Sequence, residues 1–197
     1  MERMFDLTIL IITLLLLLVL IFIIAHAIIR KQKIIGRPPI PVFYFILAKV
    51  FVITNLVFLL MRSLKIQVFR LFDPVPYIEA IALFLLILGS MILIISAVQL
   101  KTDLIFGLSD SGDHKLQTKG IYSLSRHPFY LGFIFILFSS CLFTPHYLNI
   151  PAFIGAWLIH HFIMIREEQF LALQYGEEYR QYVKKVNRYI TFKISKP

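Results

Sequence analysis

The sequence has few of the residues on which soluble catalytic and metal-binding domains depend. Its 197 residues include one cysteine and one tryptophan, and charged residues make up only 16% of the chain. Cys141 has no partner for an internal disulfide and no neighbouring base or positive charge, so we expect it to have a packing role. The Cys/His spacing of zinc sites, a G-x-G-x-x-G after a strand and a P-loop are all missing. We therefore expect no metal site.

The sequence instead contains long apolar runs. Hydrophobic residues form 59% of the chain, against about 45–50% in ordinary soluble domains. The runs cover residues 7–29, 42–61, 77–100, 129–143 and 150–165. Because about 20 apolar residues cross a bilayer, we expect an all-α integral membrane protein with about five transmembrane helices. The last two runs are short and are expected to form a helical hairpin, and Gly89-Ser90 would allow close helix packing.

The positive charge is distributed around these runs. The net charge is +9, and fifteen of the 20 Lys and Arg residues share one side if residues 30–41, 101–126 and the C-terminal region lie together. Positive residues favour the cytoplasmic face, which predicts a cytoplasmic C-terminus. The same distribution favours membrane topology over binding of nucleic acid. Lys49 lies inside the second run, where a charge is expensive and must face protein, water or the interface.

The segment after residue 165 has the pattern of an amphipathic helix. Its apolar stripe has helical spacing and consists of Leu171, Tyr175, Tyr179, Tyr182 and Val186. Gly176 is expected to divide the segment into two helices, which would form a cap on the cytoplasmic membrane surface. We accordingly divide the chain into three N-terminal transmembrane helices, residues 1–100, and a C-terminal region of loop, hairpin and amphipathic helices, residues 101–197, in which any catalytic residues are expected to lie.

Two polar patterns flank the predicted hairpin. Pro128 fits the first position of a helix, which places Arg126 and His127 at a helix N-terminus, where an anionic ligand group such as a carboxylate would bind. The alternative is a charged anchor at the membrane interface. Glu167 and Glu168 follow the last apolar run, and they either face water or bind a cationic ligand, a ribose or an amine.

Taken in order, these residues resemble the signature of the isoprenylcysteine carboxyl methyltransferases, which related membrane phospholipid methyltransferases share. The pattern comprises residues 114–122, residues 126–132, Glu167-Glu168, residues 175–179 and Tyr182. It covers about residues 95–190 and has no counterpart in the N-terminal runs. The chain is similar to prokaryotic-type members of the family.

The resemblance implies a membrane-embedded methyltransferase that uses S-adenosyl-L-methionine without a Rossmann sheet. The acceptor would be lipophilic, such as the carboxylate of an isoprenylcysteine, and would enter from the bilayer. The implied catalytic residues are Arg126, His127 and Glu167. The implied cofactor pocket is lined by His114, Lys115, Leu116, Gln117, Tyr122, His127, Pro128, Phe129, Tyr130 and Glu167. The eukaryotic enzymes place an arginine four residues before that glutamate, where this chain has Ile163, so the identity of the acceptor stays open.

Two other functions are compatible with an apolar chain of this kind. Membrane sterol and steroid reductases have a similar C-terminal region and use NADPH, but they carry Pro-Asn-Tyr where this chain has His-Pro-Phe-Tyr at residues 127–130. A small transporter or scaffold would favour broken helices and charges at mid-membrane, for which Lys49 is the candidate. Binding of NADPH, or indifference to substitution of His127 and Glu167, would identify these alternatives.

Overall fold

The computed structural model describes residues 2–29, 38–100 and 116–192. Within these ranges the chain contains five α-helices, one short 3-10 helix and no β-strand, which confirms the predicted all-α class for this part of the chain. The α-helices are α1 (Glu2–Ile29), α2 (Val42–Ser63), α3 (Pro76–Leu100), α4 (Pro128–Phe143) and α5 (Asn149–Lys185). The 3-10 helix, Gly120–Ser123, precedes α4.

Two helices in the described ranges, α2 and α3, are long and apolar enough to cross a membrane. They have 22 and 25 residues, with mean hydropathy of 2.3 and 2.9 in their most apolar stretches. Large apolar side chains such as Phe43, Ile53, Phe84 and Val98 point outward from them, as is typical of helix surfaces that contact lipid. Shorter apolar stretches occur at Phe5–Val19 and Pro128–Phe143. The total of five spans and the side occupied by the C-terminus stay predictions.

Helices α3 and α4 approach each other closely along their backbones. A Cβ atom at Gly132 would lie 2.7 Å from the carbonyl oxygen of Gly89 and 2.8 Å from the backbone nitrogen of Leu93. Small residues permit such an approach, as predicted for Gly89. The start of α4 is further tied to α3 through the 3-10 helix, because the hydroxyls of Ser96 and Tyr122 are 3.0 Å apart.

Helix α5 runs from the last apolar run into the amphipathic segment as one helix. Its regular geometry is interrupted at Gly176, where φ is +52° and ψ is −119°, a conformation that glycine adopts far more readily than other residues. The predicted break at Gly176 is therefore confirmed. The apolar run and the first part of the amphipathic segment form one continuous helix up to this break. Helices α4 and α5 follow one another and contact each other, as the predicted hairpin requires, but α5 packs more extensively against α2.

The apolar stripe of the amphipathic segment packs inside the protein. Tyr179, Tyr182 and Val186 form a buried cluster, and Leu116 and Leu171 pack against it. The hydroxyl of Tyr182 also donates a 2.6 Å hydrogen bond to the carbonyl of Tyr122. These contacts hold the C-terminal segment against the chain that leads into α4. The position of this segment on a membrane surface stays a prediction.

Candidate functional site

The polar side chains predicted from the sequence meet where α4 begins and the apolar part of α5 ends. Helix α4 begins at Pro128, as predicted, and His127 precedes it at the N-cap position. The buried imidazole of His127 lies between two successive glutamates of α5. Its Nε2 is 3.2 Å from a carboxylate oxygen of Glu168, and its Nδ1 is 3.8 Å from one of Glu167. The two patterns identified in the sequence are therefore parts of one site.

Glu167 is a carboxylate with little compensation for its burial. Its side chain is 17% exposed, and it accepts a 2.7 Å hydrogen bond from the hydroxyl of Tyr130. Burial raises the pKa of Glu167 above its ordinary value, although His127 and the Tyr130 hydrogen bond act in the opposite direction. Because an ionised carboxylate in this position is under-stabilised, a cationic or hydrogen-bond-donating ligand group would be favoured beside it.

Glu168, the next residue, is held by several cations. Its Oε1 accepts hydrogen bonds from Arg126, through Nη2 at 2.8 Å and Nε at 3.2 Å, and from Nε of Arg188 at 2.9 Å. Its Oε2 accepts a 2.8 Å bond from Nη2 of Arg188. Burial disfavours the charge, but the hydrogen bonds from Arg188, His127 and Arg126 outweigh it and hold the pKa of Glu168 well below its usual range. Glu168 therefore stays ionised and acts as a structural anchor.

The segment after α5 closes this anchor from the C-terminal side. The backbone N–H of Arg126 donates to the carbonyl of Asn187 at 3.0 Å, and that of His127 to the carbonyl of Arg188 at 3.3 Å. Farther along, the ring of Tyr189 stacks on His161, with its hydroxyl 2.6 Å from Nδ1. Arg188 was not predicted from the sequence, because it lies 20 residues from Glu168 and outside the helix, where no spacing rule connects the two residues.

Arg126 faces Glu168 and is not directed at an open position. Besides the carboxylate, its guanidinium donates a 2.8 Å hydrogen bond to the carbonyl of Val186. At the start of α4, where an anionic ligand group was predicted to bind, Arg126 is therefore already paired with the carboxylate of Glu168. Arg166, the residue before Glu167, is exposed, and its guanidinium donates a 3.1 Å hydrogen bond to the side-chain oxygen of Gln169, so it lies outside the cluster.

The remaining predicted pocket residues divide between the site and its supports. Tyr122 is buried, and burial raises the pKa of its phenol to about 12, with a smaller contribution from the nearby Glu167 charge. Pro128 is buried, Gln117 is half-buried, and Phe129 contacts Tyr130 edge-to-face with ring centroids 6.4 Å apart. Leu116 packs on the tyrosine cluster described above. His114 and Lys115 lie outside the described residues.

Two further residues, His160 and Lys49, interact with the group formed by Glu167 and Tyr130. The ring of His160, one helical turn before Ile163 on α5, lies 5.6 Å from that of Tyr130. Lys49 approaches from α2 and interacts electrostatically with both Glu167 and His160. Within residues 2–29, 38–100 and 116–192, no three His, Cys, Asp or Glu residues are grouped in a way that could hold a metal ion.

Comparison with known proteins gives one family. The model of the phospholipid methyltransferase family matches residues 77–178. Among curated proteins, a protein-S-isoprenylcysteine O-methyltransferase from Tribolium castaneum is 31% identical over 83 residues, which are 42% of this chain and 30% of that protein. A probable protein-S-isoprenylcysteine O-methyltransferase from Oryza sativa subsp. indica is 35% identical over 80 residues, 40% of this chain and 42% of that protein.

The similarity extends to a fungal relative as well. A protein-S-isoprenylcysteine O-methyltransferase from Schizosaccharomyces pombe is 33% identical over 75 residues, 38% of this chain and 32% of the relative. The chain thus matches less than half the length of each of these relatives. The family match includes α3, α4 and the first part of α5, with His127, Tyr130, Glu167 and Glu168, whereas Lys49 and Arg188 lie outside it.

Proposed function

The chain belongs to the phospholipid methyltransferase family, and from this premise we propose that it is a membrane-embedded enzyme that transfers a methyl group from S-adenosylmethionine to a lipophilic acceptor. The observation that carries the proposal is the half-buried carboxylate of Glu167, which Tyr130 orients at the start of α4. An acceptor of the isoprenylcysteine class is consistent with the names of the relatives, which are protein-S-isoprenylcysteine O-methyltransferases.

The residues present suit the cofactor. Glu167 is under-stabilised as an anion, and the ammonium group and ribose hydroxyls of S-adenosylmethionine are donors that would satisfy it. Tyr130 fixes one oxygen of that carboxylate and presents an aromatic face to a cationic sulfonium. In the proposed cofactor pocket, Tyr122 and residues 127–130 form the wall next to Glu167. Leu116 and Gln117, which precede them in the chain, also line this pocket. His114 and Lys115 complete the proposed set.

Arg126 enters the proposal as a positioning residue. Because its guanidinium is engaged by Glu168 and Val186, it acts by fixing His127 and the first turn of α4, and not by direct contact with the ligand. The ring of His127 then lies between the two carboxylates and helps to fix the position of Glu167. The anchored Glu168 supplies the rigidity that a positioned reaction requires.

When bound, the cofactor supplies an electrophilic methyl group on a cationic sulfur. The protein has to align the acceptor with that group and exclude water, and such alignment can contribute about 7–11 kcal/mol. A carboxylate or thiolate acceptor needs no strong general base, which agrees with a site whose histidine already hydrogen-bonds Glu168 and lies 3.8 Å from Glu167. The lipophilic acceptor would enter from the bilayer, and the cofactor from the cytoplasmic side.

Calorimetric titration of the protein in mild detergent tests this proposal. We expect S-adenosylmethionine to bind and NADPH not to bind. Glu167→Gln should weaken the binding about tenfold to hundredfold, because a hydrogen bond to a charged group contributes about 1.5–3 kcal/mol. Glu178→Gln, at an exposed position of α5, is the matched control and should bind like the wild type. Binding of NADPH in place of S-adenosylmethionine would assign the chain to the reductases, and binding of neither would favour a non-enzymatic role.

A further inference from the structure

Lys49 is placed on the buried side of α2, at the depth of the proposed site. It lies seven residues after the first residue of the helix, or about 10 Å along its axis. The neighbouring residue Ala48 is fully buried, and the Nζ atom of Lys49 lies 4.8 Å from the centroid of the Phe45 ring. A charge inside an apolar span is costly and usually marks a ligand path or a partner, so its surroundings indicate its role.

The residues around Lys49 belong to the candidate site. Helix α2 packs against α5, and Lys49 interacts electrostatically with Glu167 and with His160. Tyr130 joins these two residues, since its ring lies 5.6 Å from His160 and its hydroxyl bonds Glu167 at 2.7 Å. Three helices therefore bring Lys49, Tyr130, His160 and Glu167 to one place.

The face of α5 that borders this place carries no cation of its own. His160, Ile163 and Glu167 follow one another at intervals of three and four residues, and Ile163 is 1% exposed and apolar. The arginines of the site, Arg126 and Arg188, are bound to Glu168. Among the residues that the structure describes, the positive charge on this side of Glu167 therefore comes from Lys49 of α2.

An apolar cavity begins two helical turns farther along the same face of α2. Leu56, seven residues after Lys49, lines this cavity of about 90 Å³, together with Leu59, Leu93, Phe129 and Phe133. Phe129 also contacts the ring of Tyr130 in the site. A ligand with an anionic group at Lys49 could therefore extend hydrocarbon into apolar surroundings, away from the cytoplasmic side.

We propose that Lys49 recognises the acceptor, and that its ammonium binds the anionic group, a carboxylate, of a lipophilic methyl acceptor beside Glu167. The inference rests on the proposed function and adds to it a specificity-determining residue outside the family match. The carboxylate oxygen would attack the methyl carbon, forming the O–C bond as the C–S bond breaks and its electron pair passes to sulfur. The positive charge of Lys49 holds the carboxylate in line for this displacement.

The test compares a carboxylate with its uncharged counterpart. N-acetyl-S-farnesylcysteine and its carboxamide would be titrated into the full chain in detergent, with saturating S-adenosylhomocysteine present so that no turnover occurs. We expect the wild type to bind the carboxylate at least tenfold more tightly than the carboxamide. Lys49→Met should abolish that preference, and Lys49→Arg should retain most of it. Lys65→Met, at the other end of α2 beside Asp6, is the control and should leave the preference unchanged.

A separate titration with S-adenosylmethionine distinguishes the possible failures. We expect Lys65→Met to bind S-adenosylmethionine like the wild type, and Lys49→Met to lose more affinity for the farnesyl carboxylate than for S-adenosylmethionine. If Lys49→Met instead loses affinity for S-adenosylmethionine while the carboxylate preference persists, Lys49 is only the counter-ion of Glu167, and the proposal is overturned. An unchanged preference in Lys49→Met, or a wild type that binds neither farnesyl compound, also overturns it. A wild type that fails to bind S-adenosylmethionine refutes the proposed function itself.

Discussion

The two adjacent glutamates of α5 should respond in opposite ways to the same substitution. Glu168→Gln removes the negative charge that Arg126, His127 and Arg188 share. The side chain of Arg126 is only 9% exposed, so its charge would be left buried and largely uncompensated. Removing one partner of a buried ion pair costs about 3–5 kcal/mol. We expect the lower end of that range, since Arg126 keeps its bond to the Val186 carbonyl and the amide keeps one acceptor oxygen.

For a chain of this size, a loss of about 3 kcal/mol lowers Tm by about 6–12 °C. Glu167→Gln should leave Tm unchanged or raise it slightly, because the raised pKa of Glu167 shows that folding disfavours its charge. The natural residue at position 167 would then be retained for ligand binding at some cost in stability. Differential scanning calorimetry in one detergent, without added ligand, measures both effects.

The control is the exposed pair between Glu177 and Arg180, whose side chains are 63% and 72% exposed and 3.7 Å apart. Glu177→Gln should change Tm by less than about 2 °C, because exposed ion pairs contribute little. The assignment of Glu168 as the anchor is refuted if Glu168→Gln has the same Tm as Glu177→Gln. The contrast between the two glutamates is refuted if Glu167→Gln lowers Tm as much as Glu168→Gln does.

Three other outcomes follow from the same structure. Gly132→Ala should lower Tm, at a cost of about 1–3 kcal/mol, because the added Cβ would meet the backbone of Gly89 and Leu93; a Tm equal to that of the wild type would contradict the close contact of α3 and α4. Tyr130→Phe should weaken S-adenosylmethionine binding about tenfold by calorimetry, through loss of the 2.7 Å bond to Glu167, and unchanged affinity would remove Tyr130 from the site. Acidification should affect the two glutamates differently. The stability supplied by Glu168, whose pKa is lowered on folding, is complete above the ordinary value of 4.5 and is lost as the pH falls through its lower folded pKa. The Tm difference between the wild type and Glu168→Gln should therefore shrink only below about pH 4.5, whereas S-adenosylmethionine affinity should begin to fall at higher pH because the pKa of Glu167 is raised; the reverse order would contradict both assignments.

Features that depend on local chemistry were predictable from the sequence. Pro128 marks the start of α4 because its missing N–H and fixed φ suit the first turn. Gly176 marks a backbone conformation with positive φ. The stripe that includes Tyr179, Tyr182 and Val186 forms one packed cluster because residues at helical spacing share a face. The sequence pattern did not predict that this face would be covered by the protein's own residues.

Features that depend on contacts between distant segments were not predictable in this way. Nothing in the pair Glu167-Glu168 shows which carboxylate would be anchored by arginines and which would be left under-stabilised. That difference arises because successive helix positions point about 100° apart, so Glu168 faces the C-terminal segment and Glu167 faces Tyr130. Lys49 was recognised as an expensive charge, but its position beside Glu167 follows from the packing of α2 against α5.

The surroundings of the two glutamates include residues from outside the family match. Residues 77–178 carry the family pattern, whereas Lys49 interacts electrostatically with Glu167 and Arg188 hydrogen-bonds Glu168. A comparison limited to the matched region would therefore miss two of the charged neighbours of this carboxylate pair.

The most direct test of the central claim is methyl transfer by the purified protein. The protein would be incubated with methyl-labelled S-adenosylmethionine and N-acetyl-S-farnesylcysteine in lipid vesicles, and label would be counted in the organic-soluble fraction. We predict transfer that is lost in Glu167→Gln and retained in Glu178→Gln, with the label released as methanol by base, as for a methyl ester. A folded wild-type protein that binds S-adenosylmethionine but transfers no more label than Glu167→Gln would contradict the proposed reaction.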